Sequence, residues 1–183
     1  MPSWARIATR SRVPLGFLFA AAYLWFAHPT WFSMALGSIV IAIGLGIRAA
    51  ASGHIKKNTQ LATAGPYAYA RNPLYLGSIV IAIGFIVAAR GAWIGVGALA
   101  MFLFIYVPVI RAEEAYLRSA FPEYAEYSEQ VPRLLPRITP YRSGTKDGSP
   151  AFSRELYMRH REYNAILGSA LILGALILKI MLV

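Results

Sequence analysis

The sequence predicts an all-α, polytopic integral membrane protein of about five spans. Three observations carry this. Of the 183 residues 57% are hydrophobic, above the ~45–50% usual for soluble domains. The apolar residues are gathered into long runs, which points to the bilayer as solvent. The charges are sorted too: all eight acidic residues lie after position 112, and the first 112 residues carry only basic side chains.

The runs fall at 13–31, 32–51, 75–89, 92–110 and 164–183. A helix needs roughly 20 residues to cross the hydrocarbon core. The first run is apolar from Val13 to Ala27 and follows Arg6, Arg10 and Arg12. A charged start and an apolar core also fit a signal peptide. Trp25, Phe26 and Trp31 favour a span that ends in an interfacial aromatic belt. The first and third runs are short for a crossing. Only Arg90–Gly91 separates the third from the fourth, so a tight helical hairpin is expected there. All five belong to one domain, 1–183.

Orientation follows from the basic residues. In a five-span arrangement 16 of the 18 Lys and Arg fall on one side, and only Arg90 and Lys179 on the other. The N-terminus and the long loops, 111–162 above all, are therefore expected in the cytoplasm. The basic excess flanks apolar runs, so it points to anionic headgroups and not to nucleic acid. Membrane lipids are the expected partners. With no cysteine in the chain, thiolate catalysis and thiolate metal sites are excluded. His28, His54 and His160 are scattered without metal-ligand spacing, so no metal site is expected.

The nonapeptide LGSIVIAIG stands at Leu36–Gly44 and again at Leu76–Gly84. Either the helices are duplicated or two bilayer-facing runs have drawn on one small alphabet. Gly37, Gly44, Gly77 and Gly84 would permit close helix packing in either case. Within the long loop, Arg111–Tyr127 has helical spacing. Pro132, Pro136 and Pro140 then break regular structure. Tyr141–Pro150 reads as a flexible loop, and Ala151–Glu162 as an interfacial amphipathic helix.

Three clusters could carry chemistry. The first is GPYAYARNPLYLG at Gly65–Gly77, where Pro66 and Pro73 impose turns and Arg71 and Asn72 stand at the mouth of the third span. Its tyrosines and arginine could line a pocket or merely anchor at headgroups. The second is Glu113–Glu114, adjacent carboxylates about 100° apart on a helix. They could accept charge-assisted hydrogen bonds or simply be solvated. In the third, Phe121–Pro136, Tyr124 and Tyr127 share one helical face, which also fits an ordinary surface helix.

These blocks resemble the isoprenylcysteine carboxyl methyltransferase and phospholipid methyltransferase superfamily of integral membrane enzymes. The resemblance rests on Gly65–Gly77, on EEAYLRSAFPEYAEYSEQVPRLLP at Glu113–Pro136, on IGLGIRAAA at Ile43–Ala51, and on their order. It covers roughly 37–136. It implies S-adenosylmethionine as cofactor, in a pocket on the cytoplasmic side. It implies Gly65, Tyr67, Arg71, Asn72, Tyr75, Leu76, Glu113, Glu114 and Tyr124 as candidate cofactor contacts, with Arg71 and Glu113 as catalytic candidates. Gly44 and Gly46 match a Gly-x-Gly element or serve packing; His54, with Lys56 and Lys57, reaches cofactor or lipid phosphate or anchors at headgroups. Asn72 replaces the histidine of the isoprenylcysteine enzymes, which removes a titratable group and counts against a prenylcysteine substrate. Asn is familiar here in bacterial-type members, which implies a bacterial-type cell membrane. The implied acceptor is lipid-like or membrane-accessible: an isoprenylcysteine carboxylate, a phospholipid amine or a small thiol. Two rivals remain. One is an NADPH-dependent reductase of the sterol reductase type, for which the chain is short. The other is a non-catalytic transporter or scaffold, for which no span carries a central acidic residue.

Overall fold

The computed structural model describes residues 3–55, 60–142 and 152–182. Lys56, Lys57 and most of the loop expected at Tyr141–Pro150 lie outside them. Among the described residues the secondary structure is helical, with no strand. The helices are α1 (Ser3–Phe26), α2 (Trp31–Ser52), α3 (Pro73–Ala89), α4 (Ala92–Met101), α5 (Val107–Ala120), α6 (Tyr124–Gln130), α7 (Arg154–Arg159) and α8 (Tyr163–Leu182). Three helical stretches are long and apolar enough to cross a membrane: Trp31–Ser52, Ala92–Ala120 and Tyr163–Leu182. Val13–Phe26 and Pro73–Ala89 are shorter and apolar. This is a helical membrane protein.

Boundaries differ from the expectation where the sequence offers no stop. α1 begins at Ser3, ten residues before the apolar run, because nothing at 3–12 breaks a helix. Pro14 sits inside it. The fourth helix does not end at 110 but continues to Ala120 through a π turn at Phe102–Tyr106. Pro108 explains the wide turn: it has no N–H and its ring crowds the carbonyl four residues back, that of Phe104. The helix stops where Pro122 follows. The amphipathic helix expected over 151–162 is confined to α7, with Ser153 accepting from the Leu156 N–H as its cap. Arg90 adopts a left-handed φ of 54° and turns α3 into α4, so the tight hairpin is present.

The chain divides into two compact units. The first comprises Met1–Ile41, Ala82–Tyr116 and Gly168–Val183. Its core is apolar: Tyr23, Ala27, Met34, Ala88, Ala89, Ile94 and Leu176. Polar groups there serve the backbone. The Tyr23 hydroxyl donates to the Phe85 carbonyl at 2.9 Å and Ser33 Oγ to the Ala88 carbonyl at 3.0 Å. Lys179 Nζ donates to the Leu24 and Trp25 carbonyls at 2.8 and 2.9 Å. These lie in the last turn of α1, whose carbonyls lack helical donors. Trp25, Phe26, Trp31, Phe32 and Trp93 are exposed, as an interfacial belt requires.

In the first unit the two copies of LGSIVIAIG pack against each other. A Cβ at Gly37 would meet the Gly84 carbonyl at 2.6 Å and Ala88 at 2.8 Å, and one at Gly84 would meet Ile41 at 2.7 Å and the Gly37 carbonyl at 2.8 Å. Only glycine allows that approach.

The second unit comprises Ala42–Ile81 and Leu117–Leu167. The same contact recurs there with the roles exchanged. A Cβ at Gly44 would meet Ile81 at 2.7 Å and the Gly77 carbonyl at 2.8 Å, and one at Gly77 would meet Arg48 Cγ at 2.6 Å and the Gly44 carbonyl at 2.8 Å. Gly44 and Gly84 hold the same place in the two copies, as do Gly37 and Gly77. The repeat is therefore structural: both copies use the same glycines to pack on one another. Arg48 occupies the place that Ala88 holds in the first unit. Its guanidinium makes a bidentate pair with Glu162, at 2.8–3.0 Å, and donates to Ser78 Oγ at 2.6 Å and the Leu74 carbonyl at 3.4 Å. Arg48, near the end of the second apolar run, is thus in the last turns of α2 and tied to a partner 114 residues away.

Candidate functional site

The second unit builds a polar assembly around the mouth of α3. It starts at Gly65, whose φ of 58° is left-handed and favours glycine. A side chain there would also collide with the His54 ring. His54 Nδ1 donates to the Ala50 carbonyl at 2.7 Å. In the neutral ring this leaves Nε2, beside Gly65, as the acceptor. A single 3-10 turn, Gly65–Ala68, follows with Pro66 at its start. Proline fits that place because the first helical N–H has no intrahelical partner. Pro73 opens α3 for the same reason.

Between this turn and Pro73 the chain is not helical, and the backbone of Ala68–Asn72 finds partners in the segment 131–142. The Arg71 N–H donates to the Pro132 carbonyl at 2.9 Å and the Asn72 N–H to the Arg133 carbonyl at 3.1 Å. In return, the Arg137 N–H donates to the Tyr69 carbonyl at 3.0 Å and the Tyr141 N–H to the Ala68 carbonyl at 2.9 Å. The proline-rich stretch that breaks helices is therefore a strap across the Ala68–Asn72 turn. Asn72, expected against the cofactor, is buried, and its Nδ2 donates to the Arg133 carbonyl of the strap at 3.2 Å.

Beneath the strap lies a tyrosine cluster. Tyr124, Tyr127 and Val131 form a buried core flanked by Leu61, Leu117, Phe121 and Tyr141. The rings of Tyr124 and Tyr127 meet edge to face at 6.1 Å, and those of Tyr127 and Tyr141 at 5.3 Å. The Tyr127 hydroxyl donates to the Tyr67 carbonyl at 2.7 Å. Burial pushes the Tyr127 phenol well above its ordinary pKa, and the neighbouring Tyr67 and Tyr124 add to the rise. The face shared by Tyr124 and Tyr127 is thus an internal wall, not a membrane-lying surface. Arg71 Nη1 donates to the Tyr124 hydroxyl at 3.4 Å. The guanidinium is half-buried.

The remaining candidates are placed as follows. Tyr67 is buried, and Tyr75 and Leu76 are half-buried on the first turn of α3. Gly44 serves the α2–α3 contact. Gly46 is exposed, and a Cβ there would meet nothing within 4 Å. Glu113 and Glu114 lie on α5 in the first unit. Glu114 is buried at 8% exposure and Glu113 is exposed, as their angular offset requires. Sequence reasoning missed the Arg48–Glu162 pair and the strap, both of which depend on tertiary proximity. It did see Tyr124 and Tyr127 on one face.

This assembly joins GPYAYARNPLYLG and the stretch that ends at VPRLLP, the two motifs that carry the family resemblance. The family comparison agrees: residues 18–124 match phospholipid methyltransferase. The chain belongs to that family, within the isoprenylcysteine and phospholipid methyltransferase superfamily. Its similarity to known proteins extends to the cobalt-zinc-cadmium resistance protein CzcN of Cupriavidus metallidurans, 32% identical over 133 residues, covering 68% of this chain and 62% of that protein. It is also similar to the nickel-cobalt-cadmium resistance protein NccN of Alcaligenes xylosoxydans xylosoxydans, 29% identical over 125 residues, covering 63% of this chain and 59% of that protein. The chain thus spans about three fifths of the length of these relatives. No solved structure matches it.

Proposed function

We propose that this membrane methyltransferase-family chain uses S-adenosylmethionine to methylate an acceptor that reaches it from the bilayer. The observation that carries this is the strapped turn with Arg71 held by Tyr124 among buried tyrosine rings. The donor set suits the cofactor's chemistry. A guanidinium pairs with an amino-acid carboxylate in a forked geometry. Aromatic faces accept a flat base and, through cation–π attraction of about 0.5–2 kcal/mol, a sulfonium. When bound, S-adenosylmethionine supplies an electrophilic methyl group on a cationic sulfur.

The chain's own task is positioning. Arg71 fixes the ligand's anionic end, and Tyr124 keeps the guanidinium in place. The strap holds the turn rigid, because four backbone bonds and the Asn72 amide resist its displacement. Such alignment supplies up to ~7–11 kcal/mol in well-oriented reactions. A base is needed only for a protonated acceptor, whose lone pair must first be freed. His54 Nε2, left as an acceptor beside Gly65, is the group we assign to take that proton. The resemblance also assigns Glu113 and Glu114 to the cofactor; both stand on α5 in the first unit, where Glu114 is buried and Glu113 exposed.

Five spans with the N-terminus and long loops in the cytoplasm complete the reading, supported by the one-sided distribution of Lys and Arg. The relatives' names place them in resistance to cobalt, zinc, cadmium and nickel. Lipid extracts of bacterial cells grown under those metals are therefore the first place to seek the acceptor.

The test is equilibrium binding of S-adenosylmethionine and S-adenosylhomocysteine to the chain in nanodiscs, with NADPH as control. Micromolar binding of the first two is expected, lost in Arg71→Ala and in the double variant Glu113→Gln with Glu114→Gln. Binding of NADPH alone would move the chain to the reductases. Binding of none to folded protein would overturn the enzymatic reading.

A further inference from the structure

The strap has an outer side that the cofactor turn does not use. Ile138 is 97% exposed and Leu135 is 79% exposed, although the inner side of the same segment seals a buried core. We propose that residues 133–142 form a membrane-surface anchor that seats Leu135 and Ile138 among the lipids of an anionic leaflet.

Depth is the first argument. The strap is bonded to Ala68–Asn72, and Asn72 directly precedes Pro73, where apolar α3 begins. A segment clasped to the residue before a span lies at the level of the headgroups. Side chains that would be stranded in water there have acyl chains within reach.

Backbone chemistry is the second. Exposed backbone donors are costly in hydrocarbon. Pro136, between the two aliphatic residues, has no N–H to leave unpaired. The bend is fixed from within, because Arg137 donates from Nη1 to the Gln130 carbonyl at 2.9 Å and from Nη2 to Thr139 Oγ1 at 3.3 Å. The apolar tip is thus presented by a braced loop.

Charge is the third, and it selects the occupant. From Gln130 to Lys146 the sequence carries Arg133, Arg137, Arg142 and Lys146 and no acidic residue. Arg133 and Arg142, on either side of the tip, are exposed. Basic residues that flank an inserted aliphatic pair favour anionic lipid. Two copies of so basic a strap would repel one another, which argues against a second copy of the chain. The acidic row Glu123, Glu126 and Glu129 is exposed on α6 and its approach, and serves as the water-facing reference.

The chain has no cysteine, so single labels can be placed cleanly. Leu135→Cys, Ile138→Cys and Glu129→Cys, each carrying an environment-sensitive nitrobenzoxadiazole, would be compared in nanodiscs of phosphatidylglycerol with phosphatidylcholine and of phosphatidylcholine alone. At 135 and 138 in the anionic discs, blue-shifted emission, quenching by acyl-chain nitroxides and protection from aqueous iodide are expected. At 129 the reverse is expected. Arg133→Gln with Arg142→Gln should shift the 138 label back toward the emission of the 129 label. Iodide quenching at 135 and 138 equal to that at 129 would overturn the anchor. A blue shift without nitroxide quenching would mean that protein covers the tip, and would overturn it too. Equal insertion in both disc types would overturn the anionic preference. The readout is lipid contact, so it is separable from methyl-donor binding.

Discussion

The first and second units contain the same helix contact, made by the same nonapeptide, and differ in one flanking residue. In the first, Gly37 packs on Gly84 with Ala88 beside it; in the second, Gly77 packs on Gly44 with Arg48 beside it. Alanine closes the first contact as plain packing, and its neighbours Ala27, Ala89 and Leu176 are fully buried and apolar. Arginine turns the second into a polar joint whose guanidinium reaches Glu162, Ser78 and the Leu74 carbonyl on the first turn of α3. The repeat supplies adhesion, and the residue just outside it decides what the end of the contact is for.

The largest effect should come from making the two ends alike. Ala88→Arg copies the second unit's flank into a site that is 0% exposed, where the described residues of the surrounding core include no carboxylate to receive the charge. A cost of about 3 kcal/mol or more is expected for an intramembrane cation. It should be read as a loss of monodisperse protein on size exclusion. Normal yield would mean that the first contact tolerates a polar end, and the comparison would fail.

Removing the polar joint should come next. Arg48→Ala leaves Glu162, whose side chain is 12% exposed, without its partner. Breaking a buried pair from one side costs about 3 kcal/mol at the lower end of the usual range. Arg48→Leu combined with Glu162→Leu should recover most of this, since two apolar residues leave no orphaned charge. Thermal unfolding in nanodiscs would check both. A double variant as unstable as the single one would assign the joint's value to hydrogen bonds with α3 and not to the ion pair.

The glycines test the shared part. Gly37→Ala forces a methyl group onto the Gly84 carbonyl and Ala88, an overpacking expected to cost about 1–3 kcal/mol. Gly46→Ala, two residues beyond the repeat, meets nothing and should stabilise by roughly 0.5–1 kcal/mol through helix propensity. Equal effects of the two would dissolve the steric argument.

The smallest effect concerns the second unit alone. Tyr127→Phe removes the donor to the Tyr67 carbonyl, at about 1 kcal/mol. The folded pKa of Tyr127 is raised above the ordinary tyrosine value of 10.0. Its contribution is therefore fully present below about pH 10 and is lost as the pH climbs toward the folded value. Stability should be flat from pH 7 to 9 as far as this group is concerned. The alkaline decline above pH 10 should be shallower in Tyr127→Phe; an unchanged decline would shift the cause to other groups.

Much of the site was legible because it is local in sequence. Pro66 and Pro73 announced the turn, Arg71 and Asn72 the polar mouth of α3, and Tyr124 with Tyr127 a common helical face. What the residues do was less legible. Asn72 is a candidate ligand contact by resemblance, and its amide also donates to the Arg133 carbonyl, which any residue could supply. Gly44 reads either as part of a binding element or as a packing residue, and the structure packs it against Ile81 and Gly77. The Glu113–Glu114 pair is adjacent in sequence, and the structure buries Glu114 and exposes Glu113.

By itself the sequence determined an all-helical membrane protein, its apolar runs, the hairpin at Arg90–Gly91 and the family. Hydropathy, proline placement and motif spacing act over a few residues, and the chain alone carries them. Only the tertiary structure decided that the two nonapeptides pack on one another, that Arg48 belongs to Glu162, and that a proline-rich stretch straps the turn. Each joins residues at least 33 positions apart, through steric fit, an ion pair or backbone carbonyls that are the same in every residue. A sequence records which side chains are present, and only the folded chain shows which of them meet.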